Sequence, residues 1–434
     1  MILHARPGPK AELVIRRARV LDPLEKIDAV LDVRLDGGVV SQLGTALEAN
    51  GHRVLEGEGL ILAPAFVDPH VHLRTPGREE EETIGSGTLA AAAGGYCAVL
   101  AMPNTDPVVD SGAVLGALIE AARAEAAIPV GFLAAITKRQ AGAELTEMAE
   151  LADAGAAGFT DDGLPVVAAG VMRRALQYST VAGRPLAVHC EEPTLSRGGQ
   201  MHEGRVSAEL GFAGYPAVAE SVMVRRDLAL AAYEARPLHL LHLSARESVE
   251  ALGAAQAAGV AATAEVTPHH LCLTDEAVRS LDPNLKMNPP LRAESDRAAL
   301  IEALRDGAIG AVASDHAPHA RHEKEAPFEA APFGVTGLET AFAALYTHLV
   351  EPRLLPLRTL LERLSAGPAR LYGLEPPRIA VGEQADVVLI DPQARWRVTE
   401  EGFRSRSVNS WLLGETLQGR VELTVAAGQV AFER

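Results

Sequence analysis

The sequence predicts an α/β fold: a (β/α)8 TIM-type barrel with a smaller β-sandwich domain built from both termini. Two observations predict it. In the centre of the chain, apolar runs that end in polar residues alternate with Ala-rich amphipathic stretches, as strand-helix units of a parallel sheet do. At both ends of the chain, short β-like segments follow one another instead.

The two end regions have the composition of short strands. The β-like segments are Glu12–Arg19, Asp28–Leu35, Val39–Leu43, Gly59–Ala63, Ala385–Ile390 and Arg420–Phe432. Gly37-Gly38 lies between two of them, as in a hairpin turn. We therefore expect residues 1–62 and 377–434 to form one β-sandwich domain, and residues 63–376 to form the barrel.

The central region contains eight apolar runs, each a candidate barrel strand. They are Leu60–Arg74, Tyr96–Asn104, Pro129–Ile136, Ala157–Asp162, Leu186–Glu191, Leu238–Ser244, Ala261–His270 and Ile309–His319. Helical stretches such as Val167–Ala182 and Ser221–Ala235 lie between them. Catalytic groups of such barrels lie at the C-terminal strand ends. Here the ends include HVHLR, MPNT, TDD, HCE, HLS, TPHH and SDHAPH.

Composition excludes several classes of function. The chain has 434 residues, 48% of them hydrophobic, and a formal net charge of −17. The charge argues against nucleic acid and anionic membranes as partners. No apolar run has the length of a transmembrane helix, and the first residues do not resemble a secretory signal. Three scattered cysteines are typical of a cytoplasmic protein without disulfides.

The strongest single signal is the run Asp68-Pro-His70-Val-His72-Leu-Arg74. Two histidines at positions i and i+2 of a strand point to the same face, where they can hold one divalent metal. Arg74 has the same parity, and its guanidinium is suited to a carboxylate. The run therefore predicts a metal site beside a carboxylate-binding group.

Other strand ends supply further candidate ligands. The set is His70, His72, Asp162, His189, His242 and Asp315. Four imidazoles and two carboxylates can bind two divalent ions, which activate water at neutral pH. Asp315 can take a proton and return it to a leaving nitrogen. The set predicts metal-assisted hydrolysis of an amide-like bond.

Each candidate also has a plainer interpretation. Taken alone, His189 and His242 are more often hydrogen-bonded core histidines, and Asp161 and Asp162 are more often turn residues before Gly163. The metal interpretation is favoured because all six candidates end predicted strands.

Neighbouring polar residues are assigned otherwise. His239 is expected to be structural, and His316 to face away from Asp315. His269 and His270 are left unassigned. The acidic run Glu79–Glu82 is expected to open a solvated helix at its N-terminus.

With these residues assembled, the chain resembles the amidohydrolase superfamily and, within it, the bacterial class I dihydroorotases. The matching strings are DPHVHLRTPG (68–77), AMPNT (101–105), FTDDG (159–163), HCE (189–191), HLS (242–244), EVTPHHL (265–271), KMNPPLR (286–292), SDHAPH (314–319) and APFGVTGLET (331–340). They occur in order over most of the chain. The resemblance implies a barrel with a β-sandwich, and zinc on the six candidate ligands.

The resemblance also implies substrate contacts. The residues concerned are His72, Arg74, Asn104, Asn288, His319, Phe333 and Gly334. Arg74 and Asn104 would hold the dihydroorotate carboxylate with help from His319, and Asp315 would be the general acid and base. The long segment Ala317–Gly337 is expected to form a loop over the site that can act as a lid.

One position departs from many relatives, which bridge their metals with a carbamylated lysine on strand four. Here that position is Asp162, and the nearest lysine, Lys138, follows strand three. The expected cofactor is one or two Zn²⁺ ions per chain, bridged by Asp162. A carboxylate bridge is shorter than a carbamate, so the second ion is expected to bind weakly.

The leading hypothesis is the reversible cyclisation of N-carbamoyl-L-aspartate to (S)-dihydroorotate in de novo pyrimidine (UMP) biosynthesis. Two alternatives are a hydantoinase or allantoinase, and a non-catalytic partner of aspartate transcarbamoylase. Arg74 with Asn104 argues against a plain hydantoin, which lacks a carboxylate; the retained ligands argue against a scaffold alone. A homodimer and an association with aspartate transcarbamoylase both stay open.

Overall fold

The computed structural model describes residues 2–434. Its strands are Leu13–Asp22 (β1), Ile27–Asp36 (β2), Val39–Gly44 (β3), Arg53–Glu56 (β4), Ile61–Pro64 (β5), Phe66–Val71 (β6), Tyr96–Ala101 (β7), Val130–Phe132 (β8), Ala187–Val188 (β9), Met201–His202 (β10), Gly214–Tyr215 (β11), Leu238–Leu240 (β12), Ala262–Val266 (β13), Ala311–Val312 (β14), Val387–Arg397 (β15), Thr416–Ala426 (β16) and Gln429–Glu433 (β17).

Its α-helices are Ile84–Ala93 (α1), Gly112–Glu125 (α2), Met148–Ala154 (α3), Ala169–Ala182 (α4), Pro193–Ser196 (α5), Arg205–Leu210 (α6), Ala217–Glu234 (α7), Arg246–Ala257 (α8), Pro268–Cys272 (α9), Glu294–Asp306 (α10), Arg321–Lys324 (α11), Ala341–Leu345 (α12), Leu357–Leu364 (α13) and Ala366–Leu371 (α14). A π-helical turn, Tyr346–Val350, extends α12. No described helix is long and apolar enough to cross a membrane.

Strands from both ends of the chain form one sheet of eight strands. The order is β17-β16-β15-β5-β1-β2-β3, with β4 paired to β1. The predicted turn at Gly37-Gly38 joins β2 to β3, and both glycines have positive φ (59° and 78°), a conformation in which a side chain is strained. A separate core packs under this sheet, with Ile15, Val20 and Val387 fully buried.

The central strands pair in parallel. One set runs β6-β7-β8 and another runs β14-β13-β12-β9. Phe159 forms parallel bridges to Ala134 and Leu186 between the two sets, and Val71 forms a parallel bridge to His316. These pairings place the polar ends of the apolar runs near one another.

One expected strand is nearly absent, whereas the expected helices are present. The predicted fourth strand, Ala157–Asp162, is reduced to the bridges at Phe159, although Ala157, Phe159 and Thr160 donate backbone hydrogen bonds to neighbouring segments. The predicted helices occur, as α4 and α7.

The expectation of a solvated helix start at Glu79–Glu82 holds for Glu79 and Glu80, which are exposed before α1, but is wrong for Glu81 and Glu82. Glu81 is 1% exposed and Glu82 is fully buried. Glu82 accepts hydrogen bonds from the Ser405 hydroxyl and the Arg406 backbone N–H, and it lies 3.2 Å from His316 Nε2. Burial of Glu82 is tolerated because the C-terminal segment returns to supply donors, and burial of Glu81 is tolerated because Arg74 and Arg78 lie beside it.

Asp22 at the end of β1 is fully buried and links the two end regions. Its carboxylate accepts backbone N–H groups of Leu24 (2.7 Å), Glu25 (3.1 Å) and Ile379 (2.7 Å). We predict that Asp22→Ala lowers the free energy of unfolding in urea by about 3 kcal/mol, because buried donors lose their acceptor. Asp28→Ala, which removes only an exposed pair with Arg19, should have a small effect. Equal losses in the two variants would contradict the prediction.

Candidate metal centre and active site

The polar strand ends surround a cavity of about 230 Å³. Its lining comprises His72, Arg74, Asn104, Asp162, Gly163, His189, His242, Asn288, Asp315, Ala317, His319, Phe333 and Gly334. Every residue expected to contact metal or substrate therefore lines it, apart from His70, which is fully buried behind the wall. The residues predicted from separate strand ends therefore lie at a single cavity.

Asp162 is the shared member of two groups of candidate ligand atoms. His70, His72 and Asp162 form one group, and Asp162, His189 and His242 form the other; within each group the atoms lie within 4.8 Å of one another. Asp162 Oδ2 is 3.4 Å from His70 Nε2 and 3.5 Å from His72 Nε2. Asp162 Oδ1 is 3.4 Å from His242 Nε2. Asp162 therefore lies between two groups of side chains, each of which could hold a metal ion.

Asp315 faces the first group. Its Oδ1 is 3.0 Å from His72 Nε2 and 3.5 Å from His70 Nε2. Burial favours the neutral form of this carboxyl, but His70 and His72 outweigh it and hold its pKa below the ordinary value. Asp315 is therefore ionised at neutral pH and able to accept a proton.

The same balance governs Asp162 and His70. Burial raises the pKa of Asp162, yet the charge of His70 and the contact with His242 lower it well below its usual range. Burial likewise opposes protonation of His70, but Asp162 and Asp315 raise its pKa well above the usual value. The negative charges of Asp162 and Asp315 therefore lie close together around His70, and buried negative charge has to be balanced by positive charge at the same place.

A divalent cation fits this donor set. His70 Nε2 is buried and has no hydrogen-bond partner among residues 2–434, although it lies 3.4 Å from Asp162 Oδ2 and 3.5 Å from Asp315 Oδ1. An unpartnered buried imidazole nitrogen between two carboxylates fits a divalent cation bound by all three groups. Imidazole and carboxylate are ligands that zinc accepts.

Glu265 in β13 supports the ligands from behind, and sequence reasoning missed it. Its carboxylate lies 2.7 Å from His70 Nδ1 and 3.0 Å from His239 Nε2. A carboxylate on the rear nitrogen fixes the ring and the tautomer of a metal-binding histidine. His239 is thus structural, as expected. The available signal was a glutamate within an apolar run, since buried glutamates are almost always paired.

Glu191 supports the second group in the same way and was also missed. Its Oε2 lies 2.9 Å from His189 Nε2 and accepts a hydrogen bond from Asn288 Nδ2 at 3.1 Å. Burial raises the pKa of Glu191, but His189 lowers it to about 2. The carboxylate therefore joins a candidate metal ligand to a candidate substrate contact.

Arg74 is 8% exposed and is held by one hydrogen bond and one ion pair. Its Nε donates to the Pro318 carbonyl (3.0 Å) and lies 3.0 Å from Glu81 Oε2. Burial lowers the pKa of Arg74, but guanidinium remains cationic at neutral pH. Within the described residues its Nη groups donate no hydrogen bond, so they are left for a ligand. Glu81, expected in solvent, instead orients this side chain.

Asn104 and His319 are partly engaged by the protein. Asn104 Oδ1 lies 2.9 Å from His72 Nδ1, which leaves its Nδ2 as a donor. His319 Nε2 donates to the Phe333 carbonyl at 2.8 Å, and burial lowers the pKa of His319 to about 2. A neutral His319 offers Nδ1 as an acceptor; that atom has no hydrogen-bond partner within residues 2–434.

The Phe333-Gly334 backbone is also partly engaged. Gly334 N–H donates to the Lys286 carbonyl at 2.8 Å. The Phe333 N–H has no protein acceptor in the part of the chain that the structure describes, so it is the donor that remains free. Asn288 Oδ1 is likewise buried without a partner there.

Lys138 lies apart from this cavity. Its side chain is 41% exposed and its Nζ is 2.6 Å from Glu144 Oε1. Asp162 lines the cavity and Lys138 does not.

Comparisons with known proteins agree with one family. A family model described as dihydro-orotase-like matches residues 59–248. The chain is 40% identical over 422 residues to "Dihydroorotase" of Caldanaerobacter subterraneus subsp. tengcongensis, covering 97% of both chains. It is 44% identical to "Dihydroorotase" of Geobacter sp. strain M21, covering 97% of this chain and 99% of that protein.

Solved structures show the fold. The L-hydantoinase (dihydropyrimidinase) of Arthrobacter aurescens superposes with a TM-score of 0.87 at 24% identity, over 98% of this chain and 96% of that one. A D-hydantoinase superposes with a TM-score of 0.84 at 23% identity. At this identity the likeness concerns architecture alone.

The neutral His319 predicts a pH dependence of stability. Its folded pKa of about 2 lies below the ordinary 6.5, so its contribution is complete above pH 6.5 and declines as the pH falls toward 2. His319→Gln keeps a donor for the Phe333 carbonyl but does not titrate. We predict that metal-free wild type loses more stability than His319→Gln between pH 7 and pH 5 in urea unfolding. Parallel losses in both proteins would contradict this.

Proposed function

Because the chain belongs to the dihydroorotase family, we propose that it catalyses the reversible cyclisation of N-carbamoyl-L-aspartate to (S)-dihydroorotate in de novo pyrimidine biosynthesis. The observation that carries this proposal is the position of Arg74. A buried guanidinium with free Nη groups lines the same cavity as Asp162 and Asp315. It supplies the charge that a substrate carboxylate requires.

The proposed cofactor is Zn²⁺, one or two ions per chain, held by His70, His72, Asp162, His189, His242 and Asp315. When bound, such ions polarise the amide carbonyl and activate water. The side chains would do the remaining work. Arg74 and the Asn104 amide would hold the carboxylate, with His319 beside them. Asn288 and the Phe333-Gly334 backbone would contact the ring.

Proton transfer is proposed for Asp315. In the hydrolytic direction its ionised carboxylate would accept a proton as the oxygen nucleophile attacks the ring carbonyl. It would then donate that proton to the leaving ring nitrogen. In the cyclising direction the steps run in reverse. A hydantoinase activity would leave Arg74 without a partner, so we favour the dihydroorotase reaction over it.

The architecture is proposed on the same basis. The central parallel pairings, with the bridge between Val71 and His316, support a closed (β/α)8 barrel over residues 63–376. The register shifts in the β1–β2 and β15–β16 pairs support a bent sheet, and hence a β-sandwich from residues 1–62 and 377–434. A cytoplasmic location, a homodimer and an association with aspartate transcarbamoylase stay proposals from the sequence.

The metal proposal predicts different outcomes for two residues. Asp162→Ala should lose bound zinc and activity, because both candidate groups contain this carboxylate. Lys138→Ala should keep both, because Lys138 lies outside the cavity. Elemental analysis and turnover of the same samples check this. Retained zinc and activity in Asp162→Ala would remove Asp162 from the site.

Asp315 is tested by an isosteric change. Asp315→Asn should lower kcat by at least ~100-fold, the lower range of general acid-base contributions. Since Asp315 is also a candidate ligand, zinc content is measured alongside kcat. Near-normal turnover in zinc-loaded Asp315→Asn would exclude the proposed proton transfer.

Arg74 is tested for specificity. Arg74→Met should lower kcat/KM for dihydroorotate by roughly 10- to 150-fold, because this range corresponds to the free energy of one charge-assisted hydrogen bond. Zinc content should not change. The effect on dihydrouracil, which has no carboxylate, should be much smaller. Equal losses on both substrates, with a lowered Tm, would mean that Arg74 is structural.

A further inference from the structure

The loop Pro327–Gly334, called here the 327–334 loop, forms one wall of the cavity through Phe333 and Gly334. The sequence suggests a lid for the longer segment that contains it, but the loop is tied to the body of the protein. Most of the ties come from two lysines, Lys286 and Lys324, which are 2% and 7% exposed. Buried lysines are rare and need partners.

Lys286 makes the most contacts. Its Nζ donates to the carbonyls of Phe328 (2.8 Å), Glu329 (3.0 Å) and Ala331 (2.7 Å). Its own carbonyl accepts the Gly334 N–H at 2.8 Å. Three acceptors match the three N–H groups of an ammonium ion, so the buried charge is fully satisfied.

The aromatic residues of the loop enclose the same ammonium. Lys286 Nζ lies 4.7 Å from the centre of the Phe333 ring and 5.4 Å from that of Phe328, within the range of a cation–π contact. Lys286 therefore holds the loop on both sides of the Phe333 N–H, through Ala331 before it and Gly334 after it.

Lys324 holds the next carbonyl. Its Nζ donates to the carbonyls of Pro332 (2.8 Å) and Pro283 (3.0 Å). Burial lowers the pKa of Lys324 to about 7, with the charge of Lys286 adding to the effect. Two acceptors suit the two N–H groups of a neutral amine as well, so this anchor persists in either charge state.

We infer that Lys286 is a positioning residue for substrate binding: it fixes the 327–334 loop as a rigid wall, so that the Phe333 N–H points to the substrate ring. The inference rests on the proposed function for the identity of the substrate. The rigid wall itself does not depend on that identity. Since the N–H is held in place before substrate arrives, little ordering entropy remains to oppose binding.

The experiment combines kinetics with hydrogen exchange. Lys286→Met removes the three N–H donors with little change in side-chain length. It should raise KM for dihydroorotate roughly tenfold with kcat nearly unchanged, because one positioned hydrogen bond serves substrate and transition state alike. In the protein without substrate, backbone exchange should accelerate in peptides covering residues 327–334 and stay unchanged elsewhere.

The control is Lys26→Met, an exposed lysine far along the chain from the site, which should behave as wild type. If Lys286→Met does not fold, Lys324→Met, which frees only the Pro332 carbonyl within the loop and the Pro283 carbonyl outside it, should give a smaller rise in KM and faster exchange in the same peptides. An unchanged KM and unchanged loop exchange in a folded variant would overturn the inference, as would a loss confined to kcat. If wild type did not turn over dihydroorotate, the proposed function would fail while the exchange data still decided the role of Lys286.

Discussion

The contact of the Asp162 carboxylate with three imidazoles is the interaction on which the site depends. Asp162 is buried, and both of its oxygens face histidines, from strands far apart in sequence. A buried carboxylate is stable only with hydrogen-bond donors or positive charge nearby, and Asp162 has imidazoles around it. The strand pairings that bring the histidines together therefore satisfy an electrostatic requirement, and the cavity forms where that requirement is met.

Carboxylates also form the layer behind the ligands. Glu191 and Glu81 contact His189 and Arg74, which line the cavity, and Glu265 contacts His70, which is buried behind the cavity wall. This outer layer fixes ring orientation and tautomer. The chain has a formal charge of −17, yet an anionic substrate can bind in the cavity. This is possible because the acidic residues next to the cavity form ion pairs, which reduces their repulsion of the substrate.

The sequence predicted the cavity residues well, because period-two parity and strand ends are local features. His70 and His72 lie two residues apart at the end of β6, and the Nε2 atoms of both lie within 3.5 Å of Asp162 Oδ2. The carboxylates behind these residues could not be predicted from the sequence, because their contacts involve segments that are far apart in the chain and meet only in the folded protein. Glu82 is satisfied by residues 405–406, and no local pattern relates the two. The length of the fourth strand was overestimated for the same reason. An apolar run does not show how many of its residues pair with a neighbouring strand.

Arg74, His242 and Asp315 share one backbone feature, a positive φ of 57°, 29° and 46° respectively. Such conformations are unfavourable for residues with a side chain, by about 1–3 kcal/mol each. The chain thus keeps its chemical groups at positions where glycine would relax the backbone. Replacing any of these three residues with glycine would relax the backbone, but turnover would fall because the chemical group would be lost. Libraries built to stabilise this protein should hold these three positions fixed.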